Sequence, residues 1–368
     1  MSGAASRLLS SLDARIAADP HSFATDCLRA ERACYRARQG RLDDALKVAA
    51  TLRERYNPRP SAVISAWVNL VEGLCRHFDD MGEPARDKLR RAHALSGFEP
   101  TSRLHLLCAA WLAHVDYAHH DVAGMAKHVR QALQQSAFDD HSVRSRACMV
   151  VAQALHLGGG LHLATPWYVA SRRHASDEGD DLTVAALIHN RGRLQLTRLG
   201  EAALKGEQSD EVALAVQGIT SSRSYDRMIG AASLPAITPL LHAQVLCVLG
   251  DAEGALALFQ AHMTSADGQS TTRLAATMIA DQAWCRMKLG QGEAARVDAD
   301  AALASLVAGT QVDDRAATHT RLAEVYEHIG DVEAARQQAS LASQHWYAFR
   351  ELQTQMVKVL ADLDPALA

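Results

Sequence analysis

The sequence predicts an all-α chain, a right-handed superhelical α-solenoid of about eight helical hairpins with a roughly 40-residue period. Three observations predict it. The stretch Leu249-Gly250-Asp251-Ala252-Glu253-Gly254-Ala255 returns as Leu289-Gly290-Gln291-Gly292-Glu293-Ala294-Ala295 and again as Ile329-Gly330-Asp331-Val332-Glu333-Ala334-Ala335, 40 residues apart each time. Ala-rich amphipathic segments flank every copy, and 68 of the 368 residues are Ala against 9 Pro. Apolar alternation at period two, the mark of a strand, is almost absent. Each copy therefore reads as the turn of a helical hairpin, and hairpins that cannot bury their apolar faces alone stack on their neighbours.

Taken in order, residues 1–21 are expected to form an N-terminal capping helix, and repeats one to five to fill 22–200. Repeat one has helices at 22–38 and 42–56, stopped by Asn57-Pro58-Arg59-Pro60, because proline cannot continue a helix. Repeats two, three and four span 61–96, 101–136 and 141–176. Their turn anchors continue the 40-residue series at Gly40, Asp80, His120, Gly160 and Gly200. Seven places before and five places after each anchor the two helices face one another, and close packing there needs small side chains. The earlier set is Ala33, Gly73, Ala113, Gln153, Arg193, Ala243, Ala283 and Ala323; the later set is Ala45, Ala85, Met125, Thr165, Lys205, Ala255, Ala295 and Ala335. The exceptions cluster in repeats four and five, where Ala152, Gly192 and Ala164 lie one place earlier, so a one-residue shift of register is expected there. Repeat five has a first helix at 182–198, and 201–235 is an irregular insertion with a helix at 210–217 behind a Ser209-Asp210 cap. Repeats six to eight occupy 236–348. A C-terminal extended capping helix, 349–368, carries Phe349, Leu352, Met356, Val359 and Leu363 at three- and four-residue steps; it covers repeat eight or pairs with a second copy in a homodimer.

The small–turn–small pattern at Ala323, Gly330 and Ala335, with Tyr326 four places before the turn and Phe259 or Leu89 nine places after one, resembles that of tetratricopeptide-repeat (TPR-like) proteins. The resemblance covers 22–348. It departs from the family in lacking most of the prolines that end each hairpin, Pro58 being the nearest match. It implies that first helices line a concave face whose groove positions are Trp67, Leu74, His77, His114, Tyr117, Asn190, Thr197, Gln244, Trp284, Lys288, Thr320 and Glu324. Aromatic, amide and charged side chains in one trough suit a peptide or protein segment. In related signalling proteins such a last helix leads into an output domain; none is expected after Ala368, so output would belong to a separate protein.

Composition excludes several other classes. The net charge of −4, from 38 basic and 42 acidic residues, leaves no basic stripe for a nucleic acid. No apolar run reaches the length of a signal peptide or a membrane span. The seven Cys show no C-x-x-C spacing and read as reduced core residues of a cytoplasmic protein. Gly158-Gly159-Gly160 lacks the Lys-Ser/Thr of a phosphate loop and reads as a turn. The acidic doublets Asp139-Asp140, Asp180-Asp181 and Asp313-Asp314 precede first helices and read as caps rather than acid–base pairs. Eighteen His include no H-E-x-x-H, and no G-x-S-x-G or catalytic Cys signature occurs. Neither a catalytic residue, a metal nor a cofactor is therefore expected. The reading is a non-catalytic protein-interaction scaffold. The alternative is a ligand-sensing regulatory module of a bacterial-type signalling or transcription system, acting on a separate output protein.

Overall fold

A computed structural model describes residues 6–79, 83–99, 101–204, 238–263, 275–307 and 309–367, and every regular element among them is a helix. The order is α1 Arg7–Ala18, α2 Phe23–Arg38, α3 Leu42–Tyr56, α4 Ala62–Asp79, α5 Glu83–Ser96, α6 Arg103–Ala118, α7 Val122–Gln135, α8 His141–Leu157, α9 Leu161–Glu178 and α10 Asp181–Leu204. Then come α11 Thr238–Leu249, α12 Ala252–His262, α13 Ala275–Lys288, α14 Gly292–Ala304, α15 Val312–His328 and α16 Val332–Leu360, with a single 3-10 turn at Pro365–Leu367. They fall into two compact units. Among the described residues the first comprises 6–187 with 355–367, and the second 188–204 with 238–354.

In the first unit α2/α3, α4/α5, α6/α7 and α8/α9 are antiparallel hairpins, each packed on the next. In the second, α11/α12, α13/α14 and α15/α16 repeat the arrangement. One recurring turn makes all of these hairpins that carry the motif. Gly250, Gly290 and Gly330 have φ of 81°, 73° and 85°, the left-handed region that costs glycine nothing. The amide after each glycine donates to the carbonyl five residues back: Asp251 to Leu246 at 2.9 Å, Gln291 to Arg286 at 2.9 Å and Asp331 to Tyr326 at 2.9 Å. That closes the first helix with two of its orphan carbonyls satisfied. The aspartate then opens the second helix: Asp251 Oδ1 accepts from the Gly254 amide at 2.9 Å and Asp331 Oδ1 from the Ala334 amide at 3.2 Å. The motif is thus a stop and a start written side by side.

The earlier turns follow the same scheme with two differences from the expected anchors. His120 takes the left-handed conformation as a non-glycine, φ 56°. In repeat four the left-handed residue is Gly159 rather than Gly160, one place early, in step with the shifted Ala152 and Ala164, both fully buried. Gly200 makes no turn at all: α10 runs through it to Leu204. Asp80, the 210–217 helix and its Ser209 cap lie outside the described residues. Seven hairpins are described, and the partner of α10 is not among them.

Small side chains let the paired helices approach. Ala33, Ala45, Ala85, Ala113, Ala243, Ala255, Ala283 and Ala295 have no measurable exposure. At Gly73 an added Cβ would lie 2.9 Å from Leu89 Cδ2 and 3.3 Å from the Leu89 amide nitrogen, so α4 and α5 meet almost backbone to backbone. Met125 and Gln153 break the rule and are buried all the same, Gln153 leaving its Nε2 without a partner.

The N-terminal helix behaves as a cap of the first unit. Ser6 Oγ donates to the Gly179 carbonyl at 2.9 Å, and Leu8 and Leu9 pack on Tyr35 and Leu182. Beneath it, Arg38 at the end of α2 reaches the start of α10. Its Nη1 and Nη2 donate to both oxygens of Asp180 at 2.8 and 2.9 Å, and Nη2 also donates to Thr183 Oγ1 at 2.7 Å. Burial alone would raise the Asp180 carboxyl, yet the Arg38 guanidinium and the Thr183 hydroxyl hold it below its usual value. Asp180 also caps α10 through the Thr183 amide at 3.0 Å, so one carboxylate joins ends 142 residues apart in sequence. At the other terminus Phe349, Met356 and Leu363 are buried within the chain, and Arg130 of α7 donates to Asp362 Oδ1 at 2.7 Å. All seven cysteines are free and six are buried, on α2, α4, α6, α8, α11 and α13; Cys247 and Cys285 lie Sγ to Sγ at 3.5 Å. Burial pushes the Cys75, Cys108 and Cys148 thiols up to about 12. No described helix is long and apolar enough to cross a membrane.

Two predictions follow from this packing. Gly73→Val drives methyl groups into Leu89 and is expected to lower stability by about 1–3 kcal/mol, read as a lower urea midpoint, whereas Gly250→Ala, with nothing near its Cβ, costs only the φ strain of about 1 kcal/mol. Histidines set the second. Burial, then Arg173 and His141, bring His174 down to about 4, and burial, then His105 and His128, do the same for His93. A folded-state pKa below the ordinary 6.5 means that the unfolded chain takes up protons the folded chain refuses. Stability is then intact above pH 6.5 and is lost as pH falls from 6.5 toward 4, at about 1.4 kcal/mol per pH unit for each such proton. Urea midpoints measured from pH 7.5 to 4.5 are expected to fall, and to fall less in the His93→Gln/His174→Gln variant.

Candidate functional site

First helices carry the positions expected to line a groove, and the two units treat them differently. In the first unit Trp67, His77 and Tyr117 are buried and His114 is half-buried. His114 sits edge-on to His77 at 5.3 Å and to Trp111 at 5.6 Å, and Phe78 meets Trp111 at 6.2 Å. The Arg146 guanidinium lies 3.9 Å over the Trp111 ring. Rings and guanidiniums large enough to span the space between first helices fill it, so these residues pack on one another.

In the second unit the same positions build a polar ladder. Six places before the turn glycines stand Gln244, Trp284 and Glu324; nine places before stand Leu241, Asp281 and Arg321. Gln244 Nε2 donates to Asp281 Oδ2 at 3.1 Å, and Arg321 Nε donates to Asp281 Oδ1 at 3.0 Å. Trp284 Nε1 donates to Glu324 Oε2 at 2.8 Å, and the Arg321 guanidinium lies 4.5 Å over the Trp284 ring. Lys288 Nζ covers the same ring at 5.4 Å. Partners 37 or 40 residues apart are one repeat apart, so each rung ties a first helix to the next. Burial by itself would lower the Arg321 pKa, but Asp281 and Glu324 keep it raised and the group charged. Buried charges that are paired and hydrogen-bonded hold their neighbours to one rotamer.

A cleft of about 90 Å³ opens along this ladder. It is lined by Arg193, Leu196, Thr197 and Glu201 of α10, Leu241, Gln244 and Val248 of α11, Thr277 and Asp281 of α13, and Asp313, Asp314, Ala317 and Arg321 of α15. Trp346 of α16 closes one end and donates from Nε1 to Thr320 Oγ1 at 3.0 Å. Of the residues expected from the sequence, Gln244 and Thr197 line the cleft. Trp284, Lys288 and Glu324 form the layer joined to it through Arg321, while Asn190 is half-buried on α10 away from it. Asp281, Arg321, Trp346 and the Asp313-Asp314 doublet are missing from that set. Asp281 and Arg321 could have been found by counting nine places back from each glycine. The doublet does not cap α15: Gln311 holds the cap position and Asp313 and Asp314 stand inside the first turn. No group of three or more His, Cys, Asp or Glu among the described residues is arranged to hold a metal ion.

No protein-family model and no curated protein matches the chain. Among solved structures it is similar to a Rap protein complexed with Competence and Sporulation Factor, at TM-score 0.59 and 12% identity, over 94% of this chain and 92% of that one. A second match, the APC/C hetero-tetramer Cut9-Hcn1, has TM-score 0.35 and 15% identity over 98% of this chain and 51% of that one, too low a score to build on. At such identity the first likeness speaks for the fold, a TPR-like helical-repeat solenoid, and for the fold alone.

The ladder makes a direct prediction. Asp281→Ala strands the buried Arg321 guanidinium and the Gln244 amide and is expected to cost about 3 kcal/mol, measured as a shift in urea-induced unfolding, with Arg321→Met restoring part of the loss in the double variant.

Proposed function

We propose that the chain is a non-catalytic binding module that holds a peptide or protein segment in the first-helix groove of its second unit. The observation that carries this reading is the cleft at 193–346, lined from four first helices and by Gln244, Asp281 and Arg321, which are already bonded to one another. A groove whose side chains are fixed before the guest arrives binds without the cost of ordering them. Leu196, Leu241, Val248 and the Trp346 ring offer apolar contact, and Thr197, Gln244 and Thr277 offer hydrogen bonds, the mixture an extended segment needs. Its volume suits one or two side chains of a longer segment rather than a whole metabolite. The similar Rap protein was crystallised with Competence and Sporulation Factor, which supports a bound partner for this fold. The alternative, a ligand-sensing role centred on 201–235, falls on a segment of which all but 201–204 lies outside the described residues.

The test is selection of binders from a displayed random peptide library by the whole chain, followed by titration calorimetry. Thr197→Trp and Val248→Trp fill the cleft without touching the Asp281–Arg321 pair. Binders are expected to lose at least tenfold in affinity for the filled variants, about 1.4 kcal/mol. Selected peptides that bind both filled variants as tightly as the natural chain would place the binding surface elsewhere.

A further inference from the structure

Acidic residues in the first turn of a helix are ordinary where water surrounds them, and Asp43 of α3, Glu253 of α12, Glu293 of α14 and Glu333 of α16 are all exposed. Asp26 of α2 is buried, with Arg29, Arg55 and Tyr56 bonded to its oxygens, whereas Asp313 of α15 combines burial with an oxygen that no donor meets. Its exposure is 6%, it faces the cleft, and its Oδ1 has no hydrogen-bond partner. The end of the helix favours a negative charge there but supplies no donor to that oxygen. Burying a carboxylate costs several kcal/mol in general unless a donor or a cation meets it. Around it the cleft lining holds four carboxylates, Glu201, Asp281, Asp313 and Asp314, against two guanidiniums, Arg193 and Arg321. Arg321 is committed to Asp281 at 3.0 Å, and the Asp313 Oδ1 oxygen is left without a donor.

We propose that Asp313 is the specificity-determining residue of the groove and receives a cationic group of the bound segment, a primary ammonium or a guanidinium. The inference rests on the groove reading above and adds to it the chemistry of the guest. The cleft is the size of one side-chain head group, and the aliphatic stem of a Lys or Arg would lie along Leu196 and Leu241 with its charge at Asp313. The ion pair would complete a contact that the free chain leaves open, so the carboxylate is held for the guest at the expense of the free chain's stability.

That trade gives a test with two readouts of opposite sign. Asp313→Asn keeps the shape of the side chain and removes the charge. It is expected to raise the Tm of the free whole chain and to weaken its selected peptides at least tenfold. A carboxylate with a purely structural role would instead lower the Tm when replaced. The peptide arms separate the sources of positive charge: each selected peptide is compared with its Lys→norleucine, Arg→citrulline and N-acetylated forms. Loss in one arm for the natural chain, and no further loss in that arm for Asp313→Asn, supports the assignment and names the group. Peptides that occupy the cleft, as the Thr197→Trp variant reports, yet bind Asp313→Asn as tightly as the natural chain overturn the assignment and leave the groove reading standing. Absence of any peptide sensitive to the filled cleft overturns both.

Discussion

The closeness of paired helices is the constraint on which this molecule depends. At Gly73 an added carbon would run into the Leu89 side chain, and the alanines at the equivalent places of most other hairpins are fully buried, Ala323 and Ala335 of the last one being half-buried. Helices that near each other bring their first-helix faces into a fixed register, one repeat after another. That register is what allows Gln244, Asp281 and Arg321, far apart in sequence, to bond in a row. Packing at a few small residues thus decides the geometry of groups that never touch them.

From the same scaffold the two units build different interiors. In the first, aromatic rings, histidines and two arginines occupy the face that first helices present, with Asp180 as the carboxylate that anchors Arg38. In the second, shorter polar side chains pair across the repeats and leave a channel beside them. Size explains the contrast. Arg321 stacks on Trp284 in the second unit as Arg146 stacks on Trp111 in the first, but the neighbouring rung is the smaller Gln244–Asp281 pair, and the cleft runs past it. Arg146, stacked on Trp111 and 3.4 Å from Thr183 Oγ1, shows how far a buried cation here depends on a ring face.

Most of the fold was legible in the sequence, because its turn is spelled by backbone chemistry. A glycine in the left-handed conformation followed by a capping aspartate can be recognised without knowing its neighbours, as at Gly250 and Gly330, and Gly290 repeats the turn at the same spacing with Gln291 in place of the aspartate. Legibility ended where the residue at the anchor position did not by itself decide the turn. Gly200 stays inside α10, and His120 makes the turn without being glycine. Of the cleft lining, analogy of position in the sequence points to Gln244 and Thr197, but not to Asp281 and Arg321, one turn of helix from the Gln244-equivalent places. Asp313 was read as a helix cap because the sequence shows that it precedes a helix but not that the water is gone. Burial is a property of the assembled repeats, and no local pattern carries it.

The cysteines have a consequence of their own. Six first helices bear a buried one, and burial holds the Cys75, Cys108 and Cys148 thiols protonated. A thiol reacts as the thiolate, so alkylating reagents and oxidants are kept out until a hairpin breathes. The chain therefore carries a built-in set of opening sensors spaced along its length, each silent while its own repeat is shut. Damage by oxidation would begin wherever the stack loosens first, and the order in which the sulfurs are modified would map local stability from one end of the protein to the other.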